Sequence, residues 1–248
     1  MKYIVFSFDD GRKDTYVNAA PILIKNGLTA SIHVVTGFVD GTVTGDSDLL
    51  VRRGFMSVDN CLELLNEGFD ISSHSNSHSN SFEDIELSFR KLKEWGFSSQ
   101  IGFSSPRSNI DQNISSRLFE ELKCKYIRSG TRLHDRSFFD LVLYSICYFL
   151  GSKKCFSLFN SKYIIKDINF LPAILPSVAV KSRFKAKMLI YLLNSVPENG
   201  LVILNFHSIV EKIENKWDFK LSEFDKLCKY ISQNNNYTVL NLKQLMSK

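Results

Sequence analysis

Three short clusters of acidic residues and histidines are notable in the sequence because their side chains can bind a metal ion or move a proton. They are, in chain order, Asp9-Asp10-Gly11, His74 with His78, and His207. Two imidazoles four residues apart can reach one metal ion, and a carboxylate can complete the ligand set. A second, adjacent carboxylate is then free to activate water. The residue types are therefore those of a metal-dependent hydrolase.

Each cluster also has an ordinary structural explanation. Asp-Asp-Gly is good turn chemistry, and two of the five histidines can be four residues apart by chance. The sequence HSNSH lacks the glutamate of an HExxH metalloprotease, so a base must come from elsewhere, and Asp9 is available. Chemistry is favoured because all three clusters come directly after predicted strands.

The elements that must position these clusters are strands alternating with helices. Apolar and β-branched runs predict strands at 3–8, 30–35, 69–73, 99–103, 125–128, 163–169, 200–206 and 236–240. Helices are predicted at 81–95 with Ser81 as the N-cap, at 110–123 after Asn109, and at 221–233. This alternation favours a distorted (β/α) barrel of about seven parallel strands, with an open doubly wound sheet as the alternative. In both folds, functional residues lie at the carboxyl ends of the strands.

Composition predicts one globular domain over residues 1–248, because 44% of the residues are hydrophobic and no repeat or linker divides the chain. Residues 117–187 carry 14 Lys and Arg against 5 Asp and Glu, in a chain of net charge +5. That excess predicts an anionic substrate, such as a phosphate-linked sugar, or an anionic surface, although a solvated face is equally compatible. No basic helix with interleaved aromatics is present, so no nucleic-acid partner is expected.

A cytoplasmic location is expected. The first predicted strand begins at Lys2, and nothing before it resembles a signal peptide. The five cysteines form no CxxC pair, which favours reduced thiols. The apolar stretch Phe138–Leu150 is too short to span a membrane, so it predicts a buried helix, with contact at a membrane surface as the alternative.

The order SFDDG (7–11), HSNSH (74–78) and NFHSI (205–209) resembles the motifs of the polysaccharide deacetylase family, which is carbohydrate esterase family 4 and includes the chitooligosaccharide deacetylase-like domain. The resemblance implies removal of an acetyl group from an N-acetylated sugar, with an O-acetyl carbohydrate esterase as the alternative and a divalent metal as cofactor. Zn²⁺ is the first expectation, and Co²⁺, Ni²⁺ or Fe²⁺ are alternatives. Residues 130–195 have no counterpart in the motifs.

The resemblance also implies a role for individual residues. The metal ligands are matched by Asp10, His74 and His78, the base by Asp9 and the general acid by His207. In the third motif the backbone N–H that follows a proline helps to bind the oxyanion, and the matching residues are Pro106 and Arg107. Asn205 lies where many members carry a leucine facing the acetyl methyl group.

Other positions depart from the family pattern. Ser104 replaces an arginine that steadies the base in many members, and Arg107 replaces an aromatic residue. The fourth motif has no clear match, and the nearest basic candidates are Arg128 and Arg132. These departures leave the substrate and the choice between N- and O-acetyl groups open.

Two further alternatives come from other classes of protein. Two histidines and a carboxylate also form the facial triad of non-haem Fe(II) oxygenases. A carbohydrate-binding domain that has kept a metal but no activity is the non-enzymatic alternative. Asp9 and His207 argue against it, since binding alone requires neither residue.

Overall fold

The structure is a computed structural model that describes residues 1–45, 47–97, 100–130, 142, 146 and 152–248. Arg132, and Phe138–Leu150 apart from two of its positions, lie outside the described residues. Among the helices that are described, none is long and apolar enough to cross a membrane.

The described residues contain eleven strands, nine of which form one sheet. The strands are β1 (Lys2–Phe8), β2 (Ser31–Val34), β3 (Asp70–Ser73), β4 (Phe103–Ser104), β5 (Ile127–Ser129), β6 (Ile174–Pro176), β7 (Val178–Ala179), β8 (Leu201–Phe206), β9 (Ser208–Val210), β10 (Asp218–Lys220) and β11 (Tyr237–Val239). The order in the sheet is β6-β5-β4-β3-β2-β1-β8-β7, and β11 pairs with the start of β1. Every strand pair in the sheet is parallel.

The sheet closes into a barrel through β6 and β7, which are separated only by Ser177. Ile174 in β6 pairs with Ile127 of β5, whereas Val178 in β7 pairs with Leu204 of β8. One continuous segment therefore joins the two ends of the sheet. With this segment counted once, β1 to β5 and β8 complete a ring of seven parallel strands. The predicted barrel is confirmed, and residues 130–195 supply one of its strands.

The strand predicted at 163–169 is wrong. A 3₁₀ turn covers Ser161–Tyr163, and only an isolated antiparallel bridge joins Ile165 to Leu201. The true strand contains Pro176, which cannot donate a hydrogen bond to a neighbouring strand and so hides the strand pattern. The strand predicted at 99–103 is also displaced, since β4 covers only two residues.

The helices surround the barrel. Their bounds are Ala20–Lys25, Thr36–Val39, Asp48–Arg53, Val58–Asn66, Phe82–Glu94, Gln112–Glu120, Lys153–Asn160, Ala186–Ser195, Leu221–Ser232 and Leu242–Leu245. The three predicted helices are present, and the Ser81 side chain accepts from the backbone N–H of Asp84 as predicted. The cap of the second is Asp111 instead of Asn109, with the carboxylate accepting from Ile114 N at 2.8 Å.

Alternation along the strands separates two parts of the core. On β1, Phe6 and Phe8 face the helices and pack against Phe206 and Phe224, with ring centroids 5.5 to 6.1 Å apart. Ser7, between them, faces the barrel interior, so Asp9 at the next alternate position also points inward. The alternation therefore delivers one acidic side chain into the mouth of the barrel.

Candidate active site

The turn after β1 brings both acidic side chains into one pocket. Asp10 and Gly11 have left-handed backbones, with φ values of 72° and 70°. At Gly11 a Cβ atom would lie 3.0 Å from Val34 Cγ1, so the position needs glycine for both conformation and space. The chain thus reverses immediately after Asp9, and Asp9 and Asp10 both line the cavity.

The two histidines are placed by the loop that follows β3. Asp84, in the first turn of helix Phe82–Glu94, accepts from the backbone N–H groups of Asn76 and Ser77 at 3.0 and 2.9 Å. The Ser77 hydroxyl also donates to it at 2.8 Å. This carboxylate fixes a tight loop, which lets His74 and His78 face the same point.

Asp10, His74 and His78 form a group that could hold a metal ion, with one ligand atom from each lying within 4.8 Å of the others. Asp10 Oδ1 is 3.5 Å from His74 Nε2 and 3.8 Å from His78 Nε2. His74 Nδ1 donates to the carbonyl oxygen of Ser104 at 2.7 Å, which leaves the Nε2 lone pair available. Two imidazole nitrogens and one carboxylate oxygen fit a first-row divalent ion and leave coordination positions open.

Arg12 orients the acidic ligand. Its Nε and Nη2 atoms donate to Asp10 Oδ2 at 2.9 and 2.6 Å, and Nη1 donates to Ser208 Oγ at 2.7 Å. Burial alone would raise the pKa of Asp10, but Arg12 and His74 lower this pKa well below its usual value. The carboxylate therefore stays ionised, with Oδ1 turned toward the histidines.

The neighbouring carboxylate, Asp9, is held by three donors. Its Oδ1 accepts from Arg128 Nη2 at 2.5 Å and from Ser104 Oγ at 3.1 Å, and its Oδ2 accepts from Asn205 Nδ2 at 2.9 Å. Burial opposes ionisation, yet the charge of Arg128 keeps the pKa of Asp9 below its usual value. Asp9 is outside the group of residues that could hold a metal ion.

His207 follows β8 and lines the same cavity. Its ring lies against Trp217, with centroids 4.7 Å apart and planes inclined by 35°. Among the described residues, no hydrogen-bond partner reaches His207 Nδ1. Burial lowers the pKa of His207 to about 4, so the ring is neutral near pH 7 in the absence of a bound metal.

The cavity, of about 440 Å³, brings together most of the residues named from the sequence. Its lining is Asp9, Asp10, Arg12, Phe38, Ser47, Leu50, His74, His78, Ser105, Arg107, Ser108, Ala179, Asn205, His207 and Trp217. Pro106 is buried behind the wall and begins the 3₁₀ turn Pro106–Ser108. Arg107 has a left-handed φ of 55°, and its N–H donates to no carbonyl in the described part of the chain. That N–H is available to an oxyanion.

Residues 1–116 match the family model described as polysaccharide deacetylase. This range holds the first two motifs and the Ser104–Arg107 region. This match supports membership of the polysaccharide deacetylase family. No curated protein matches it.

Solved structures of carbohydrate esterases and deacetylases share the fold of this chain. A family 4 acetyl xylan esterase from Clostridium thermocellum, in complex with a cobalt ion, has a TM-score of 0.57 at 13% identity. Peptidoglycan deacetylase PdaC from Bacillus subtilis has a TM-score of 0.53 at 14% identity. The Xyl-CE4 domain of a multidomain xylanase from the hindgut metagenome of Trinervitermes trinervoides gives 0.54 at 12%. Each comparison covers 99% of this chain and 90% of the other.

The family assignment supports a carbohydrate deacetylase, a hydrolase, and so sets the Fe(II) oxygenase alternative aside. One departure from the family pattern can also be explained. Ser104 occupies the position of the arginine that steadies the base in many members, and here Arg128 of β5 reaches the same carboxylate. Of the two basic candidates for the fourth motif, Arg128 therefore lies in the site, while Arg132 is outside the described residues.

Three contributions were missed or misjudged in the sequence. Arg12 lies two residues after Asp10, and this spacing was its only signal. Trp217 is one of two tryptophans and lies ten residues after His207. Asn205, expected beside the acetyl methyl group, does line the cavity, but its side-chain amide donates a hydrogen bond to Asp9.

Proposed function

We propose that this polysaccharide deacetylase family member is a metal-dependent hydrolase that removes the acetyl group from an N-acetylated sugar. The observation that carries the proposal is the presence, in one cavity, of the Asp10, His74 and His78 group together with a separate carboxylate, Asp9. A domain that only binds carbohydrate needs no second ionised carboxylate held beside a metal site.

The donor set supports Zn²⁺ as the ion held by Asp10, His74 and His78, with Co²⁺, Ni²⁺ or Fe²⁺ as alternatives. When bound, such an ion lowers the pKa of water and polarises the acyl carbonyl group. Arg12 fixes the orientation of the Asp10 carboxylate, and the Ser104 carbonyl fixes the tautomer of His74. These contacts keep the ligand atoms in place before substrate arrives.

Asp9 accepts the proton of the attacking water. Its Oδ2 has one protein donor, Asn205, whereas Oδ1 has two, so Oδ2 is the oxygen better placed to take a proton. The Arg107 N–H faces the developing oxyanion. His207 delivers a proton to the leaving nitrogen, and because burial holds its pKa at about 4, the ring must gain that proton during the reaction.

Charges beside the cavity support a substrate that carries a phosphate. Lys181 and Lys216 each place Nζ 5.3 Å from the ring centroid of Trp217, the residue that packs on His207. The backbone N–H of Ser182 donates to the Lys216 carbonyl at 3.1 Å, so the two lysines belong to connected loops. A sugar in the cavity would carry its anionic group toward them. The cytoplasmic location, which would give access to such phosphate-linked sugars, stays a prediction.

Acetate release from purified, zinc-loaded protein tests the proposal. A panel of N-acetylated and O-acetylated sugars, with and without phosphate, is incubated with wild type, Asp9→Asn and His207→Ala, and metal content is measured in parallel. We expect release from N-acetylated sugars by wild type only, at unchanged metal content in all three proteins. Asp59→Asn, at an exposed helix position, is the matched control and should retain full activity.

The other outcomes separate the alternatives. Release only from O-acetylated sugars would make the protein an esterase. Sugar binding with no release from any substrate would indicate a non-catalytic domain. Loss of metal in Asp9→Asn would make Asp9 a ligand and contradict its assignment as the base.

A further inference from the structure

A line of buried polar side chains continues from Asp9 into the barrel. It consists of His33 on β2, Tyr126 immediately before β5, and Asp70, the first residue of β3. All three are 2% exposed or less. Asp70 lies at the opposite end of its strand from the active-site edge, so the line crosses the barrel interior. None of these residues has a part in the mechanism proposed above.

Hydrogen bonds connect most of the groups in this line. His33 Nε2 lies 3.1 Å from the Tyr126 hydroxyl oxygen, and His33 Nδ1 lies 3.4 Å from Ser7 Oγ. Asp9 Oδ1 is 3.7 Å from His33 Nδ1, which is too far for a hydrogen bond but close enough for an electrostatic effect. That hydroxyl donates to Asp70 Oδ2 at 2.7 Å. Gly102 provides the room, because a Cβ atom there would overlap the Tyr126 ring. The Tyr126 ring therefore fits inside the barrel beside His33 because residue 102 has no side chain.

Proton counting allows two arrangements of this line. With Asp70 ionised, the Tyr126 proton points to Asp70, the phenol oxygen accepts from His33 Nε2–H, and the Nδ1 lone pair accepts from the Ser7 hydroxyl at 3.4 Å. With one more proton in the line, Asp70 donates to the phenol oxygen, and Tyr126 donates to His33 Nε2. The His33 proton then lies on Nδ1 and faces the Asp9 carboxylate. Only the charge of Asp70 differs between the two arrangements.

The surroundings of His33 keep it neutral, as both arrangements require. Burial and the positive charge of Arg128 lower the pKa of His33 to about 3, although the nearby Asp9 carboxylate acts in the opposite direction. One ring nitrogen therefore carries a proton and the other carries a lone pair at neutral pH.

The surroundings of Asp70 favour proton uptake. It accepts from the hydroxyls of Ser31 and Ser72 at 2.8 and 3.0 Å, but in the part of the chain that is described no cation lies within ion-pair distance. Burial raises the pKa of Asp70, and Lys243 opposes this only at a distance. The Cys124 thiol, the remaining titratable group beside Tyr126, donates to the Tyr126 carbonyl and leaves the hydroxyl alone.

We propose that Asp70, Tyr126 and His33 form a proton-sharing relay behind Asp9, in which proton uptake by Asp70 moves the His33 proton from Nε2 to Nδ1, the ring nitrogen that lies nearer the Asp9 carboxylate. An N–H group at Nδ1 places a positive partial charge 3.7 Å from Asp9 Oδ1, which stabilises the ionised carboxylate and weakens it as a base, so the relay reduces activity as Asp70 becomes protonated. His33 is accordingly a positioning residue. This consequence for activity rests on the proposed function, but the hydrogen-bond arrangement does not.

Nitrogen NMR of the zinc-loaded protein, labelled with ¹⁵N-histidine, tests the relay without substrate. Correlations between the ring nitrogens and ring protons report which nitrogen of His33 carries the proton, and His33→Gln identifies the signal. As the pH falls, we expect one change in wild type, from the Nε2–H to the Nδ1–H tautomer. The proposal would be overturned if the tautomer of His33 did not change as the pH falls, or if both ring nitrogens became protonated instead.

Variants separate the relay from general effects of pH. Asp70→Asn removes the titrating group, and Tyr126→Phe interrupts the line, so the tautomer change should be lost in both. Tyr230→Phe, at the surface, should keep it. Persistence of the change in either relay variant would contradict the proposal, and Tyr126→Phe decides the matter alone if Asp70→Asn does not fold. Because no turnover is measured, failure of the deacetylase proposal would not affect this result.

Discussion

Arg128 donates through Nη2 to Oδ1 of Asp9 at 2.5 Å, in a position where only 1% of the arginine is exposed. The same guanidinium donates through Nη1 to Ser177 Oγ at 2.9 Å. β5 and the junction between β6 and β7 therefore support a carboxylate that extends from β1. The closure of the barrel and the ionisation of the proposed base depend on the same contacts.

Replacing Arg128 should impair both activity and stability. Arg128→Ala leaves Asp9 buried without its cation, which costs about 3–5 kcal/mol for a broken buried ion pair. Loss of the hydrogen bond from Arg128 to Asp9 should lower kcat by about 10- to 100-fold, as for other groups that orient active-site residues. Arg128→Lys should recover part of both losses, and kcat with thermal unfolding measures them. Arg117→Ala, which breaks an exposed pair with Glu121, serves as the control; equal effects in both arginine-to-alanine variants would contradict the assignment.

Arg12 should control metal affinity. Arg12→Ala frees Asp10 Oδ2 and lets the carboxylate rotate, so we expect zinc affinity to fall by about 10- to 100-fold. Competition with a chromophoric chelator measures the affinity without substrate. Lys13→Ala is a matched control, because Lys13 donates to Asn60 and not to Asp10. Unchanged affinity in Arg12→Ala would show that the ligand is held in place without it.

The parts of the site that sequence predicts well are those determined by local spacing. Asp10, His74 and His78 lie in the loops that follow β1 and β3, and parallel strands bring their carboxyl ends to one edge, so convergence could be predicted without knowing the packing. The Asp9 side chain could likewise be placed inward from the turn at Gly11.

The remaining parts depend on contacts between distant segments. Arg128 is 119 residues from Asp9, and nothing local to either residue indicates their pairing. Trp217 reaches His207 because the loop before β10 folds back over the cavity. The strand containing Pro176 was hidden because a proline weakens the strand pattern, while the apolar residues near Ile165 imitated it.

The lysines beside Trp217 should govern selectivity for anionic substrates. Lys181→Glu and Lys216→Glu should raise KM severalfold for a phosphorylated N-acetyl sugar, leave a neutral N-acetyl sugar unaffected, and reduce the dependence on salt. Lys153 and Lys154, which also lie within residues 117–187, begin helix Lys153–Asn160 and do not line the cavity. Lys153→Glu therefore serves as the control. Equal effects on both sugars would remove the argument for a phosphate.

Stability in acid should depend on Asp218, which anchors the loop carrying Trp217. Arg53 donates to its two oxygens at 2.7 and 3.0 Å, and the backbone N–H groups of Glu214 and Asn215 donate to Oδ2. Burial alone would raise the pKa of Asp218, but the hydrogen bond from Arg53 leaves this pKa below 3.8. A carboxyl whose pKa is lower in the folded state stabilises the protein above its unfolded pKa and loses that effect as the pH falls through the folded pKa.

Arg53→Met should therefore lower the free energy of unfolding by about 3 kcal/mol at pH 7, the lower end for a broken buried pair because Arg53 is partly exposed. The gap to wild type should narrow as the pH falls below the unfolded pKa of about 4 and then through the lower pKa of the folded Asp218 carboxyl. Urea unfolding over this pH series measures the gap. Arg52→Met is the control, since the Arg52 side chain is 67% exposed and, within the described residues, forms an ion pair with Glu214 alone. A gap for Arg53→Met that stays constant in acid would show that packing of the arginine stem, and not the ionised Asp218, stabilises the loop.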